Sequence, residues 1–130
     1  MQLNVTTDYA IRIVLYLAIK EKVVNSSEIA EAMGIPPSYI TKIARALKGA
    51  DILRERRGVD GGFVLNRAPE ELTLLDIVGA LEKTVSINRC LEEDEYCSRS
   101  AVSFCNVRKL LVRLQAELAE GLSVKISELI

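Results

Sequence analysis

Cys90, Cys97 and Cys105 are the only thiols in the 130-residue sequence, and all three fall in one stretch, CLEEDEYCSRSAVSFC. Thiolates ligate soft metals and iron–sulfur clusters, exchange with disulfides and oxidise. An odd number cannot close into a disulfide framework. The spacings, six residues and then seven, place the cysteines on no regular face. Four consecutive acids, Glu92, Glu93, Asp94 and Glu95, stand between the first two and mark a solvated, exposed loop. Four chemistries are open to it: an iron–sulfur cluster, a metal-free thiol–disulfide switch, a zinc site, or none. Three thiolates leave one coordination position for another group, and with no histidine in the chain no imidazole can fill it. The lack of histidine, of a Ser- or Cys-based catalytic set and of a Walker-type phosphate loop argues against an enzyme.

A loop of this kind needs a scaffold, and the composition provides for one. Hydrophobic residues make up 49% of the chain, but with only four Tyr, two Phe and no Trp the core must be aliphatic, which suits helices. The length fits one domain, or a small domain with an attached helix. The apolar run AIRIVLYLAI at 10–19 is interrupted by Arg12, is too short to span a bilayer and lacks a basic leader. A cytosolic protein with reduced thiols and no membrane partner is therefore expected.

The net charge of −1 hides a split. Residues 36–67 carry seven basic side chains against three acids, whereas residues 68–105 carry three against eight. Local sign decides what a surface attracts, so the first segment suits a polyanion and the second does not.

Periodicity and punctuation give the elements. Residues 7–20 read as a helix buried on more than one side, capped by Thr6 or Thr7. Asn25 followed by Glu28 opens a short second helix, and Gly34 ends it. Pro36 and Pro37 place the first turn of a third, in which Ile40, Ile43, Ala44 and Leu47 form the buried stripe and Gly49 the stop. That leaves Ser38, Tyr39, Thr41, Lys42, Arg45 and Lys48 facing outward. Gly58, Asp60, Gly61 and Gly62 then turn a β-hairpin whose first strand carries Arg54 and Arg56 on one face and Arg57 on the other. A further helix opens near Thr73 and Asp76, with Leu74, Ile77, Val78 and Leu81 inward. After the cysteines, Val107, Leu111, Leu114, Leu118 and Leu122 stripe a long helix that has no partner in the chain's own order. The tail, SVKISELI, adds a turn or short helix. The division expected is 1–84, 85–105 and 106–130: a DNA-binding domain, a cysteine loop, and a dimerisation helix with its tail.

Short helix, tight turn, outward-basic helix and basic glycine-tipped hairpin together describe a mainly α winged helix-turn-helix. Its third helix enters the major groove of double-stranded DNA and its hairpin follows the backbone or minor groove. Ser38, Tyr39, Thr41 and Lys42 are the base-edge or phosphate candidates. Arg45, Arg56 and Arg57 are the phosphate or minor-groove candidates, and Gly61 is among the glycines that let the hairpin tip approach the sugar-phosphate chain. The competing reading is an ordinary helical domain with a solvated charged face. Sequence-independent DNA packaging suits a net acidic chain poorly.

The runs TTDYAIRIVLYLA, GIPPSYITKIARALKGADILRERRGVDGGFVL and LTLLDIVGALE, with a cysteine loop before a long helix, resemble the IscR/NsrR-type winged-helix repressors of the Rrf family. The resemblance covers almost the whole chain. It implies a homodimer with crossing C-terminal helices on a palindromic operator. It also implies a 2Fe–2S or 4Fe–4S cluster on Cys90, Cys97 and Cys105, recognition positions at Ser38, Tyr39 and Thr41, and a wing contact at Arg57. One branch of the family completes its cluster with histidine, absent here. Asp8 matches the position from which the nitric-oxide-sensing branch supplies a carboxylate across the dimer. Glu92, Glu93, Glu95, water or a small thiol are the alternatives, and Asp8 can equally be a helix N-terminal acid favoured by the dipole.

Overall fold

The computed structural model describes residues 1–130. Helix α1, Val5–Lys20, runs through the middle of the fold, burying Thr7, Ala10, Ile13, Val14, Leu17 and Ala18. Its cap is Asn4, whose side chain accepts from the Thr6 amide at 3.0 Å, rather than Thr6 or Thr7. The reason lies far along the chain. Thr7 is fully buried, and its hydroxyl donates to the Glu82 carboxylate at 2.7 Å.

Helix α2, Ser26–Met33, starts on Asn25, which accepts from the Glu28 amide at 2.8 Å, and stops at Gly34 in the left-handed conformation. Glu28 does not reach back to complete a capping box; it takes the Tyr16 hydroxyl at 2.6 Å and ties α2 to α1. Helix α3, Pro37–Gly49, buries the expected Ile40, Ile43, Ala44 and Leu47. It ends at Gly49, as anticipated, and two residues later Asp51 takes the left-handed conformation, held by the Asn66 amide on its carboxylate at 2.8 Å.

Strands β1, Leu53–Arg56, and β2, Gly62–Leu65, pair antiparallel with Leu53 opposite Leu65 and Arg56 opposite Gly62. Arg57 lies beyond β1, in the turn. The hairpin is also fastened at its other edge. Val24 and Phe63 exchange backbone hydrogen bonds of 2.9 and 2.8 Å, joining β2 to the segment before α2. A Cβ on Gly62 would lie 2.1 Å from the Val24 carbonyl oxygen, so only glycine permits this approach.

Helix α4, Leu74–Leu81, begins with a reciprocal capping box between Thr73 and Asp76 and buries Ile77 and Val78, with Leu74 and Leu81 partly covered. Helix α5, Asn106–Leu122, spans the residues its leucine spacing predicted and buries none of them. A 3-10 turn, Ile126–Leu129, follows. It returns the tail to the first domain: Ile126 is fully buried in that domain's core, and its amide bonds to Leu72 at 2.8 Å. No helix is long and apolar enough to cross a membrane.

Candidate nucleic-acid interface and cysteine cleft

Helical geometry puts Ser38 and Arg45 down the middle of α3's exposed face and Thr41 and Lys42 on its two edges. The edges meet different surroundings. Thr41 joins Arg56, Arg57 and Gly61 in one groove of about 540 Å³, floored by Phe63 and closed by Asn25 and Ser26 at the start of α2. Lys42 lines a separate cleft with Asn4, Thr6, Glu82 and Lys83. Tyr39, expected to face outward, is half-buried. Its ring meets Tyr9 of α1 edge-on at 5.3 Å, so it fixes the start of α3 against the core.

The cations of this face stand uncompensated. Lys42, Arg45, Arg54, Arg56 and Arg57 enter none of the chain's ion pairs. Lys48 is the exception: it bonds Glu55 at 2.8 Å and holds that carboxyl below the usual range. Gly61 keeps the turn tight, since a Cβ there would meet the Arg56 carbonyl oxygen at 2.4 Å. Free guanidinium groups beside a small hydroxyl and a helix N-terminus make a surface for phosphate oxygens.

The cysteines reach a common cleft from three directions. Cys90 sits in a 3-10 turn, Arg89–Leu91; Cys97 opens a tight turn; Cys105 caps α5. All three are half-buried free thiols, and with Tyr96, Arg108 and Leu111 they line a space of about 400 Å³. Two of the sulfurs accept a hydrogen bond. Asn88 Nδ2 reaches Cys90 Sγ at 3.2 Å, and the Arg108 amide reaches Cys105 Sγ at 3.4 Å. At Cys97 the backbone amides of Ala101 and Arg99 favour the thiolate and hold the thiol below the ordinary range.

No three Cys, Asp or Glu side chains come close enough together to form a single-ion site such as tetrahedral zinc. The three thiols instead line one shared space, and thiolates are the usual ligands of iron–sulfur clusters. Asp8 is not in the cleft of its own chain. Its carboxylate pairs with Arg12 at 2.6 Å, and Arg12 also donates to the Met33 carbonyl at 3.1 Å and lies over the Tyr9 ring.

The acid run is less free than its sequence suggests. Arg89 binds both oxygens of Asp94 and draws its carboxyl down to about 2, while Glu95 pairs with Arg108 at 3.2 Å. Sequence reasoning missed two polar residues that join this region to the rest. Gln115 of α5 accepts from the Ile87 amide at 2.7 Å and donates to the Val85 carbonyl at 2.9 Å. Glu82 accepts from the Asn4 amide at 3.0 Å as well as from Thr7. A glutamine on a helix or a glutamate just past one carries no sequence signal of such a role.

The sequence and the fold have known counterparts. A family model described as Rrf2, iron-dependent transcriptional regulator, matches residues 3–130. Protein aau3 of Rhizobium meliloti is 35% identical over 73% of this chain and 62% of its own length. The HTH-type transcriptional regulator NsrR of Halalkalibacterium halodurans is 30% identical over 72% of this chain and 66% of its own. The chain thus spans about two thirds of the length of these curated relatives. Among solved structures, CymR of B. subtilis, described as the global cysteine regulator, superposes with a TM-score of 0.80 at 26% identity, covering 99% of this chain and 95% of its own. From the match along nearly its whole length, and from a fold shared with such regulators, the chain belongs to the Rrf2 family of transcriptional regulators.

Proposed function

We propose that this chain is a DNA-binding repressor, acting as a homodimer on a palindromic operator, and that Cys90, Cys97 and Cys105 hold an iron–sulfur cluster that sets its affinity for DNA. One observation carries the reading: three unpaired thiols share a cleft at the foot of a helix whose apolar side is uncovered. When bound, the cluster supplies a centre that responds to oxidants, nitric oxide or iron loss. Asp8 of a second copy, a loop carboxylate such as Glu92 or Glu93, or a small thiol supplies the remaining ligand.

The chain's own residues relay the change. Cys105 caps α5, so whatever moves its sulfur acts on the first turn of that helix. Val107, Leu111, Leu114 and Leu118 form the face that meets the partner's helix, and Gln115 ties α5 to the segment after α4. Glu82 fastens that segment's start to α1, against which Tyr39 of α3 rests. A shift of α5 thereby changes the spacing of two recognition helices. Thr41, Arg56 and Arg57 make the DNA contacts in one groove, with Ser38 and Arg45 beside them and Gly61 at the wing tip.

The test is anaerobic reconstitution with iron and sulfide counts, a visible spectrum and operator binding. Cys90→Ala, Cys97→Ala and Cys105→Ala each lose iron and the regulated change in DNA affinity. Variants that match the parent in both sink the proposal. A metal-free thiol–disulfide switch is the second reading, favoured by the likeness to CymR, described as a cysteine regulator. It requires full regulation in iron-free protein and a mass loss of two protons per linked cysteine pair after oxidation.

A further inference from the structure

One side chain touches three separate parts of the cysteine region. Arg108, in the first turn of α5, is only 20% exposed. Its Nε donates to the Cys90 carbonyl at 3.3 Å and its Nη2 to the Glu95 carboxylate at 3.2 Å, while its own amide donates to Cys105 Sγ at 3.4 Å. It also lines the cleft that holds all three thiols. Neither the charge pattern nor the cysteine spacing assigns it a role.

We infer that Arg108 is the positioning residue of the cysteine site, holding the arm from Cys90 to Glu95 against the foot of α5 so that the first and third thiols share one cleft. The fork of the guanidinium is what allows this, because it reaches a carbonyl and a carboxylate at once. One consequence follows from its chemistry: engaging Glu95 takes that loop acid out of the donor set, which leaves the open coordination position to another group. The inference rests on the cysteine-site reading above.

The experiment uses iron-free, reduced, full-length protein carrying Cys97→Ser, and a bifunctional bromobimane that fluoresces only when both arms have reacted with thiols. Arg108→Ala slows the bridging of Cys90 to Cys105 by at least about tenfold, because each of the two lost hydrogen bonds involves a charged group and one alone is worth about that factor. Mono-functional alkylation of each thiol and the thermal midpoint stay near the parent's, which a general loosening of the fold would not allow. Arg108→Lys keeps the charge without the fork and falls between the two, as does Glu95→Gln. An Ala variant that bridges as fast as the parent overturns the inference. If the Ala variant does not fold, Lys and Gln variants indistinguishable from the parent overturn it. Iron and sulfide counts on reconstituted wild-type chain separate this from the cofactor reading. Iron-free wild type with Arg108-dependent bridging sinks the cluster and upholds the positioning role. Iron-loaded wild type with Arg108-independent bridging does the reverse.

Discussion

The first eighty residues and the segment from Lys83 to Lys125 solve the folding problem in opposite ways. In the first, α1 to α4 and the hairpin interlock around a continuous aliphatic core that Ile126 completes from the tail. In the second, Ala101 is the only buried residue. Even α5, with seventeen residues and a long apolar stripe, buries none. The first region is stabilised by its own hydrophobic surface. The second is held by particular polar contacts, those of Arg89, Arg108 and Gln115, and leaves apolar area for something else to cover. A DNA-reading unit must keep its shape in every state. The sensing role proposed for the second segment needs a second state close in energy, which sparse burial leaves open.

Truncating one leucine in each region tests the contrast most directly. Leu47→Ala, at a fully buried site, costs about 2–5 kcal/mol in urea unfolding. Leu114→Ala, 39% exposed on α5, costs a dilute single chain under about 1 kcal/mol. It weakens self-association measured by sedimentation. Equal costs in unfolding would erase the distinction.

The next effect lies within the closed unit. Gly62→Ala forces β2 away from Val24 and destabilises by about 1–3 kcal/mol. Gly79→Ala in α4 has open space at its Cβ and gains about 0.5–1 kcal/mol, so the pair should move the melting temperature in opposite directions. Smaller than the Gly62 effect is Gln115→Ala, which removes two hydrogen bonds, one of them exposed, worth about 0.5 kcal/mol each. Hydrogen exchange should quicken around 85–87 and leave the buried amides of α1 and α3 unchanged.

The smallest effect concerns pH. Asp94 is depressed from 3.8 to about 2, chiefly by its hydrogen bond from Arg89. A depressed carboxyl stabilises the folded loop fully above its unfolded value and loses that contribution as pH falls towards the folded one. The loop should therefore loosen between 3.8 and about 2. The pair is exposed, so the gain is slight. Arg89 lies over the Tyr96 ring, and the near-ultraviolet signal of that tyrosine reports the change. Asp94→Asn should be flat across the same range.

How far the elements could be read in advance varies with how local their causes are. The span of α5 follows from Val107 to Leu122 alone, because a stripe at helical spacing needs no neighbour to be recognised. The start of α2 at Asn25 and of α3 at Pro37 rest on capping and proline geometry within a few residues. The errors share a different origin. Thr7 is as good a cap as Asn4, but Glu82, 75 residues away, claims its hydroxyl. Tyr39 looks outward by periodicity, yet Tyr9 lies across its path. The loop acids Glu93, Asp94 and Glu95 are exposed, as their run implies, but nothing in that run shows that Asp94 pairs with Arg89 and Glu95 with Arg108.

The candidate sites divide in the same manner. That three thiols, a basic helix and a glycine-tipped wing belong to this molecule is plain from residue types and intervals, since backbone torsions and side-chain chemistry are properties of short stretches. That Thr41 shares a groove with Arg57 while Lys42 lines a different cleft with Glu82, and that Arg108 binds both the Cys90 carbonyl and the Glu95 carboxylate, depends on how helices cross and where loops land. Packing a shared core settles those neighbours, and no window of a few residues contains the information.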